Sequence, residues 1–195
     1  MDYETYFEEL EKYASENRVP IIRSKSLEIL VSEVKEKQPK RILEIGTAIG
    51  YSGSKMLLAS PNSKLYTIEL DEERCLLARE NFKKAGLYDR VVLWEGDANE
   101  ILRYLDGTFD FVFLDGPKAH YLEMLPKIVE CLEKGGEIFA DNVLFYGYIE
   151  KEGVYNKKKT IIRNMRAYLE ELEKNEMLTS KILDIEDGIA ISVKR

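Results

Sequence analysis

One apolar stretch of the chain leads into residues whose types suit the binding of a small ligand. Arg41-Ile-Leu-Glu-Ile45 is followed by a turn that contains Gly46 and Gly50, and a helix-like segment comes next. The two glycines let the backbone approach a ligand closely, and Glu44 can meet a cationic or hydroxyl group there. The spacing is GxxxG rather than the GxGxxG of a dinucleotide pyrophosphate loop, so a nicotinamide-dependent oxidoreductase is disfavoured.

Two further acids follow the next two apolar stretches. Glu69 ends the second stretch, a position at which an acid can accept both hydroxyls of a ribose. After the third stretch come Gly96, Asp97 and Ala98, where the aspartate can accept from an adenine amino group and the small alanine leaves room for the ring. Each acid alone is also typical of a surface residue or a helix N-cap. Their order on three successive strands favours a nucleoside without phosphates.

Oxygen-bearing side chains also follow the fourth and fifth apolar stretches. Asp115 ends one of them, and Asp141 with Asn142 ends the other. Carboxylates and an amide carbonyl, without His or Cys, suit a hard cation whose shell is completed by water and substrate, which favours Mg²⁺ over Zn²⁺. Taken by themselves, these residues are better explained as helix caps and turn formers after strands. The metal hypothesis therefore depends on the other motifs of the chain.

The elements that must position these residues form an α/β pattern. Strand-like runs alternate with helix-length amphipathic segments, which is typical of a mostly parallel sheet with helices on both faces. In such a sheet the carboxyl ends of the strands meet at one edge, where ligands bind. We predict these strands at Arg41–Ile45, Lys64–Glu69, Arg90–Trp94, Asp110–Leu114 and Gly136–Ala140.

The C-terminal part of the chain predicts a β-hairpin that ends the sheet. Lys181–Ile185 and Gly188–Val193 are strand-like, and Glu186-Asp187 separates them, so the last strand is expected to be antiparallel. We predict a Rossmann-like α/β fold with a seven-stranded, mostly parallel sheet. Residues 1–195 form one domain in this prediction, and the helices within residues 1–38, among them Ser24–Lys37, cover the site.

Helical spacing and cysteine usage identify parts of the core. Cys75, Ala78, Phe82 and Ala85 recur on one helical face, and Gly86 follows as a stop signal. The two cysteines of the chain show no CxxC spacing, so we expect small buried hydrophobic residues rather than a disulfide or a thiolate metal site.

Composition limits the classes of function. A chain of 195 residues suits one domain with one site, and no apolar run approaches the roughly 20 residues that span a bilayer. A formal charge of −7 disfavours nucleic-acid binding through the whole surface. Binding of nucleic acid through a local basic patch is still compatible with this charge. The acidic, amphipathic N-terminus differs from a secretion signal, so we expect a cytoplasmic protein without a membrane role.

From about Val19 to Arg195 the sequence resembles the class I S-adenosylmethionine-dependent methyltransferases, and within them the metal-dependent catechol and caffeoyl-coenzyme A O-methyltransferase family. Six motifs carry the resemblance: Val19-Pro-Ile-Ile, Glu44-Ile-Gly-Thr-Ala-Ile-Gly-Tyr-Ser52, Ile68-Glu69, Gly96-Asp97-Ala98, Asp115-Gly-Pro-Lys-Ala-His-Tyr121 and Asp141-Asn-Val-Leu144. The resemblance implies that S-adenosylmethionine is surrounded by Glu44, Gly46, Ser52, Glu69, Ala98 and Asp115, with the backbone of Ile22 near its methionine end. It also implies a homodimer.

The same resemblance implies a metal centre and a base. Asp115, Asp141 and Asn142 would hold Mg²⁺ or another divalent cation, and Lys118 would be the general base toward the acceptor hydroxyl. A lysine beside a divalent cation has its charged form disfavoured, which suits a base near neutral pH; otherwise Lys118 is a surface lysine. His120 receives no role from the resemblance and ranks second as a base. The implied reaction is direct methyl transfer to a hydroxyl polarised by the metal.

A basic segment near the C-terminus bears on the acceptor. Within the family, the stretch from Asp141 to Gly147 and the ending from Asp187 look most like the bacterial tRNA 5-hydroxyuridine methyltransferases, which make 5-methoxyuridine at the wobble position. A small catechol or caffeoyl-coenzyme A-like phenol satisfies the same chemistry, and a noncatalytic nucleoside-binding module is the alternative of another class. Five residues are candidates for RNA contact: Lys157, Lys158, Lys159, Arg163 and Arg166.

The alternative for this basic segment is a solvated helix beside an acidic run. We predict that it starts a long helix whose inward stripe consists of Ile162, Met165, Leu169 and Leu172. The preceding insertion Tyr146–Asn156, rich in Tyr and Gly, is a candidate substrate lid or stacking surface, or a plain loop.

Overall fold

The computed structural model of the chain describes residues 2–145 and 159–195. Its internal contacts divide the chain into two compact units, Met1–Ala98 and Asn99–Arg195. The α-helices are α1 Tyr3–Asn17, α2 Ser24–Lys37, α3 Tyr51–Ala59, α4 Glu72–Lys84, α5 Ala98–Arg103, α6 Tyr121–Cys131 and α7 Lys159–Lys174. The strands are β1 Arg41–Ile45, β2 Lys64–Glu69, β3 Val91–Glu95, β4 Phe109–Leu114, β5 Leu132–Asp141, β6 Leu178–Leu183 and β7 Ile189–Lys194. Short 3₁₀ helices occur at Tyr88–Arg90 and Lys118–His120.

The first unit contains three parallel strands in the order β3-β2-β1. Each is followed in the chain by a helix, as the alternation of strand-like and helical segments predicts. Helix α4 begins where the side chain of Asp71 accepts from the Arg74 amide, and it ends before Gly86, whose φ of +67° is in the left-handed region. Its stripe of Cys75, Ala78 and Phe82 is buried, which confirms this part of the predicted core.

The second unit contains the parallel pair β4 and β5, and β7 runs antiparallel to both β5 and β6. The predicted C-terminal hairpin and its antiparallel last strand are therefore confirmed. The strand order of the seven-stranded sheet is β3-β2-β1-β4-β5-β7-β6, which confirms the predicted Rossmann-like α/β class. Both cysteines are buried and free, as expected.

Two predictions for the C-terminal elements differ from the structure. Strand β6 begins at Leu178, three residues before the predicted start, because the apolar run is weak there and the pairing with β7 decides its length. In α7 the buried residues are Ile162, Met165, Tyr168 and Leu172, so Tyr168 takes the place predicted for Leu169. The ring of Tyr168 packs edge-on against that of Tyr121, with 5.5 Å between the ring centroids. Among the described residues no helix has the length and apolarity that a membrane crossing requires.

Candidate active site

The glycine turn after β1 is held tightly to the end of β2. The amides of Gly46 and Thr47 donate to the carbonyl of Ile68 at 3.0 and 3.2 Å, and the amide of Gly50 donates to the carbonyl of Thr47 at 2.8 Å. Gly46 and Gly50 have φ values of +102° and +80°, which glycine adopts at little cost. A Cβ at Gly50 would lie 2.9 Å from the ring of Phe82. Conformation therefore favours glycine at both positions, and at Gly50 the available space requires it as well.

Glu44 lies beneath this turn and is fully buried. Its two carboxylate oxygens accept from Ser52 Oγ at 2.5 Å and from Thr67 Oγ1 at 2.6 Å. Thr67 Oγ1 is in turn 2.5 Å from Thr47 Oγ1. The structure thus brings the predicted cofactor residues Glu44 and Ser52 together, and a hydrogen bond joins their side chains. Glu44 fixes the start of α3 and the turn before it.

Glu69 ends β2 as predicted, and its carboxylate is already engaged by backbone amides. Oε1 accepts from Leu70 at 3.0 Å and from Asp71 at 3.1 Å, and Oε2 accepts from Ala48 at 2.8 Å. A carboxylate has about four acceptor positions, so a further position is open to a hydroxyl of a ribose. The amide of Gly96 donates to the backbone carbonyl of Glu69 at 2.8 Å, which brings the ends of β2 and β3 together.

The remaining cofactor candidates of the first unit lie around these strand ends. Asp97 is exposed, Gly96 is half-buried, and Ala98 begins α5. The side chain of Ile22 is buried in the segment between α1 and α2. The side-chain contact of Asp97 with the adenine, the backbone contact of Ile22 and the places of Gly96 and Ala98 beside the cofactor stay predictions.

In the second unit, Asp115 and Asp141 lie at the ends of two neighbouring parallel strands in register. Leu114 pairs with Ala140, so each aspartate occupies the next position at the same edge. Asp141 is 1% exposed, whereas the side chain of Asp115 is 20% exposed. Asn142 donates through Nδ2 to Asp141 Oδ2 at 3.1 Å, which leaves its amide oxygen for another partner. Two carboxylates and one amide oxygen thus collect at one edge.

Burial and a nearby lysine act on Asp115 in opposite directions. Burial raises the pKa of its carboxyl above the ordinary value, and Lys118, whose Nζ lies 3.4 Å from Asp115 Oδ1, partly offsets this rise. The positive charge of Lys118 therefore does not fully offset the cost of burying the Asp115 carboxylate. A second cation at this position would be favourable.

Tyr121 connects the two strand ends, a role that its sequence position did not indicate. Its buried hydroxyl lies 2.9 Å from the carbonyl oxygen of Leu114 and 3.3 Å from that of Asp141. Burial, and then the charges of Asp115 and Asp141, raise the pKa of Tyr121 well above its ordinary value, so the hydroxyl stays protonated as a donor. Only the structure reveals this residue, since its signal in the sequence is that of an apolar helix start.

The hairpin between β6 and β7 fixes the loop that follows Asn142. The amides of Val143 and Leu144 donate to the carbonyls of Gly188 and Asp187 at 3.0 and 2.9 Å. Asn142 has a φ of +57°, a left-handed conformation that asparagine tolerates better than most residues. The loop conformation that presents Asn142 is therefore determined by residues far along the chain.

Helix α7 supports the short helix that carries Lys118. Asn164 Nδ2 donates to the carbonyl of Ala119 at 2.7 Å. His120, in the same short helix, pairs through Nδ1 with Glu123 at 3.0 Å, and both side chains are about half exposed. The structure thus places Lys118 beside Asp115 and pairs His120 with Glu123 at the surface, while their order as bases stays a prediction.

The donor set of the second unit fits a hard divalent cation. Its chemistry is oxygen only, and a cation of this class keeps several waters besides one or two protein carboxylates. Within residues 2–145 and 159–195, His, Cys, Asp and Glu form no group of three or more that could hold a metal ion. Asp115, Asp141 and Asn142 form a smaller set with an amide as third donor, which suits a site completed by water and a substrate.

Basic residues of the predicted RNA surface occupy the exposed side of α7. Lys159, Arg163 and Arg166 are exposed, and their spacing of four and three residues places them on one helical face. Lys157, Lys158 and the insertion Tyr146–Asn156 lie outside the described residues.

Comparison with known proteins gives the family. The model of the O-methyltransferase family matches residues 3–195. The catechol O-methyltransferase B of Danio rerio is 34% identical over 176 residues, which are 85% of this chain and 62% of the relative. The chain therefore spans less than two thirds of the length of that relative.

Solved structures of similar proteins also support membership of this family. A Staphylococcus aureus protein provisionally assigned as a caffeoyl-CoA O-methyltransferase is 31% identical and has a TM-score of 0.90, with 97% of this chain and 92% of that chain covered. A Podospora anserina methyltransferase, solved with S-adenosylhomocysteine, is 25% identical and has a TM-score of 0.86, with 97% and 88% covered. The family indicated by the motifs is confirmed, and this chain belongs to the O-methyltransferase family.

Proposed function

We propose that the protein transfers the methyl group of S-adenosylmethionine to a hydroxyl that stands beside a second oxygen, and that a divalent cation supports the reaction. The observation that carries the proposal is the in-register pair Asp115 and Asp141 with Asn142 next to it. The family match and the S-adenosylhomocysteine in the Podospora anserina structure support the cofactor.

The first unit supplies the cofactor site in this proposal. The glycine turn lets the backbone approach the cofactor, and Glu69 accepts a ribose hydroxyl at its remaining acceptor position. Asp97 and Ala98 receive the adenine. The network of Glu44, Ser52 and Thr67 keeps the turn in one conformation, so positioning rather than covalent chemistry contributes much of the rate enhancement.

The second unit supplies the acceptor side. Asp115, Asp141 and Asn142 would hold the cation, which, when bound, lowers the pKa of an acceptor hydroxyl through Lewis-acid polarisation. With the cation bound, the charged form of Lys118 would be disfavoured, and its neutral Nζ would accept the proton of that hydroxyl. Asn164 keeps the short helix of Lys118 in place. Tyr121 fixes the two strand ends relative to each other.

For the acceptor we propose 5-hydroxyuridine at the wobble position of tRNA, which would become 5-methoxyuridine. The exposed basic face of α7, formed by Lys159, Arg163 and Arg166, supports contacts with phosphates. A small catechol or caffeoyl-CoA-like phenol is the second candidate, and the names of the relatives support it. With tRNA as acceptor, the protein would act in the cytoplasm. For the oligomeric state we propose a homodimer, which the family resemblance supports.

The experiment offers labelled S-adenosylmethionine and Mg²⁺ to the purified protein with two acceptors in parallel. One is tRNA that contains 5-hydroxyuridine and the other is a small catechol, each with and without a chelator. Label in the tRNA that disappears with the chelator is the expected result. Label in the catechol alone would reject the tRNA acceptor, and label in neither acceptor would reject the proposed reaction.

A further inference from the structure

The glycine turn contains one residue in an unfavourable conformation that is not a glycine. Ala48 has a φ of +47°, in the left-handed region where the Cβ of an L-residue meets its own backbone. Conformations of this kind persist only where surrounding groups hold them, and they cluster at ligand sites. Neighbouring side chains must therefore hold the backbone at Ala48.

Two side chains form hydrogen bonds with backbone groups on either side of the Ala48 Cα. On one side, the amide of Ala48 donates to Glu69 Oε2 at 2.8 Å. On the other, the carbonyl of Ile49 accepts from Asn81 Nδ2 at 2.9 Å. Glu69 already belongs to the predicted cofactor site, whereas Asn81 lies on α4 and has no predicted role. Nothing in the sequence pattern singles out Asn81, because an asparagine near the end of an amphipathic helix is ordinary.

Asn81 is itself firmly anchored. It is 9% exposed, and its backbone carbonyl accepts from Tyr6 Oη at 3.1 Å and from the Ala85 amide at 2.9 Å. The next residue, Phe82, places its ring against Gly50 at the end of the same turn. Helices α1 and α4 therefore form a rigid support from which one side-chain amide reaches the turn.

We propose that Asn81 is a positioning residue for S-adenosylmethionine, which acts by holding the turn at Ala48 and Ile49 in the conformation that the cofactor needs. The inference rests on the proposed function, since it assigns the cofactor site to this turn. Asn81 does not touch the cofactor. It fixes the Ile49 carbonyl, and thereby keeps Ala48 in its left-handed conformation with its amide on Glu69.

Two roles of Asn81 can be separated by experiment. In one, Asn81 holds Ala48 in its unfavourable conformation; in the other, it only stabilises the folded unit. If Asn81 works by holding Ala48 against its preference, then a glycine at position 48, which adopts positive φ at little cost, removes most of the need for Asn81. If Asn81 only stabilises the unit, Ala48→Gly does not change the effect of its loss. A double-mutant cycle measures this coupling.

The experiment measures the Kd of S-adenosylhomocysteine by calorimetry for the full chain and its variants. Asn81→Ala removes the donor, and Asn81→Leu is a second variant of similar size that also lacks it and introduces no charge beside the Ile49 carbonyl. We expect either change to weaken binding about tenfold in the wild-type background and less than about threefold in the Ala48→Gly background. Circular dichroism melting confirms that each variant is folded.

Tyr3→Phe is the matched control, because Tyr3 Oη lies 3.1 Å from the carbonyl of Ala85 and so also joins α1 to the end of α4, without reaching the turn. We expect it to bind S-adenosylhomocysteine like the wild type. Wild-type affinity in both Asn81 variants, or an equal loss in both backgrounds, would overturn the inference. Absence of binding by the wild-type protein would instead overturn the proposed cofactor, and with it the function.

Discussion

At the scale of single residues, the acids of the predicted cofactor site accept hydrogen bonds mainly from other groups of this protein. Glu44 accepts from Ser52 and Thr67, and Glu69 accepts from three backbone amides. The residue types and their places at strand ends could be predicted, because strand ends of a parallel sheet meet at one edge. Their hydrogen-bond partners could not, because these lie on other elements and no spacing rule connects them.

Ser52→Ala tests the role of the buried Glu44. The change leaves one oxygen of a fully buried carboxylate without its hydroxyl donor, which costs about 1–3 kcal/mol of unfolding free energy. Urea unfolding measures the loss. Ser15→Ala on the exposed side of α1 is the control and should change stability by less than about 0.5 kcal/mol. Equal effects of the two changes would contradict the buried network.

Asp115→Asn tests the charge at the candidate metal centre. Burial raises the pKa of Asp115, so with a chelator present the wild type loses stability as the pH rises from the ordinary carboxyl range through this raised pKa. The amide has no charge to bury. We therefore expect the variant to be more stable than the wild type at neutral pH and the difference to vanish at low pH.

Thermal unfolding across a pH series provides the measurement. Added Mg²⁺ should stabilise the wild type and leave the Asp115→Asn variant unchanged, because binding to the folded state alone raises stability. A variant that is less stable than the wild type at neutral pH in chelator would contradict the incomplete compensation of the Asp115 carboxylate.

At the scale of elements, the loop after β5 depends on the β6–β7 hairpin. A Cβ at Gly188 would lie 2.3 Å from Leu144 Cγ, and the φ of Gly188 is +84°, so Gly188→Ala must displace the loop that presents Asn142. We expect methyl transfer to fall by about tenfold or more and stability to fall by about 2 kcal/mol or more.

Gly135→Ala is the matched control for this loop. Gly135 has a similar φ of +78°, but a Cβ there meets no atom within 4 Å. The control carries the backbone strain without the clash, so we expect a stability loss of about 1 kcal/mol with activity retained. A similar loss of activity in both variants would show that the contact with Leu144 is unimportant.

Helix α7 has two faces with different roles. Its half-buried Asn164 contacts the short helix that carries Lys118, and its exposed face carries Lys159, Arg163 and Arg166. Arg163→Glu should reduce methyl transfer to tRNA about tenfold and leave transfer to a small catechol unchanged, because RNA binding weakens when a phosphate is deprived of its cationic partner. Initial rates at two salt concentrations measure this. Lys12→Glu on α1 is the control, and an equal effect on both acceptors would reject the RNA surface.

Prediction of the elements succeeded where the sequence periodicity was strong. The bounds of β1, β2 and α2 were predicted to the residue. For β1 and β2 this was possible because Gly, Pro or Asn signals flank short apolar runs, and α2 is an amphipathic segment that ends just before Gln38 and Pro39. The weaker periodicity of β6 and the choice of Tyr168 over Leu169 in α7 depended on tertiary packing. Tyr121 and Asn81 had no signal of their own, since each acts through contacts with residues on other elements.

At the scale of the whole molecule, the chain joins two sets of residues with different chemistry. The first unit holds the glycine turn and Glu69, which suit a nucleoside, and the second holds Asp115, Asp141 and Asn142, which suit a hard cation. The family match over residues 3–195 includes both sets. A metal-dependent methyl transfer accounts for both sets in one chain, whereas nucleoside binding alone leaves the second unexplained.

The most direct test of a metal-dependent methyl transfer compares the wild type with Asp141→Ala, using labelled S-adenosylmethionine with Mg²⁺ and with a chelator. We predict transfer by the wild type with Mg²⁺ only, and a loss of about a hundredfold or more in Asp141→Ala, which still binds S-adenosylhomocysteine and keeps a folded circular dichroism spectrum. Transfer by Asp141→Ala at the wild-type rate, or transfer that is insensitive to the chelator, would contradict a metal centre at Asp115, Asp141 and Asn142.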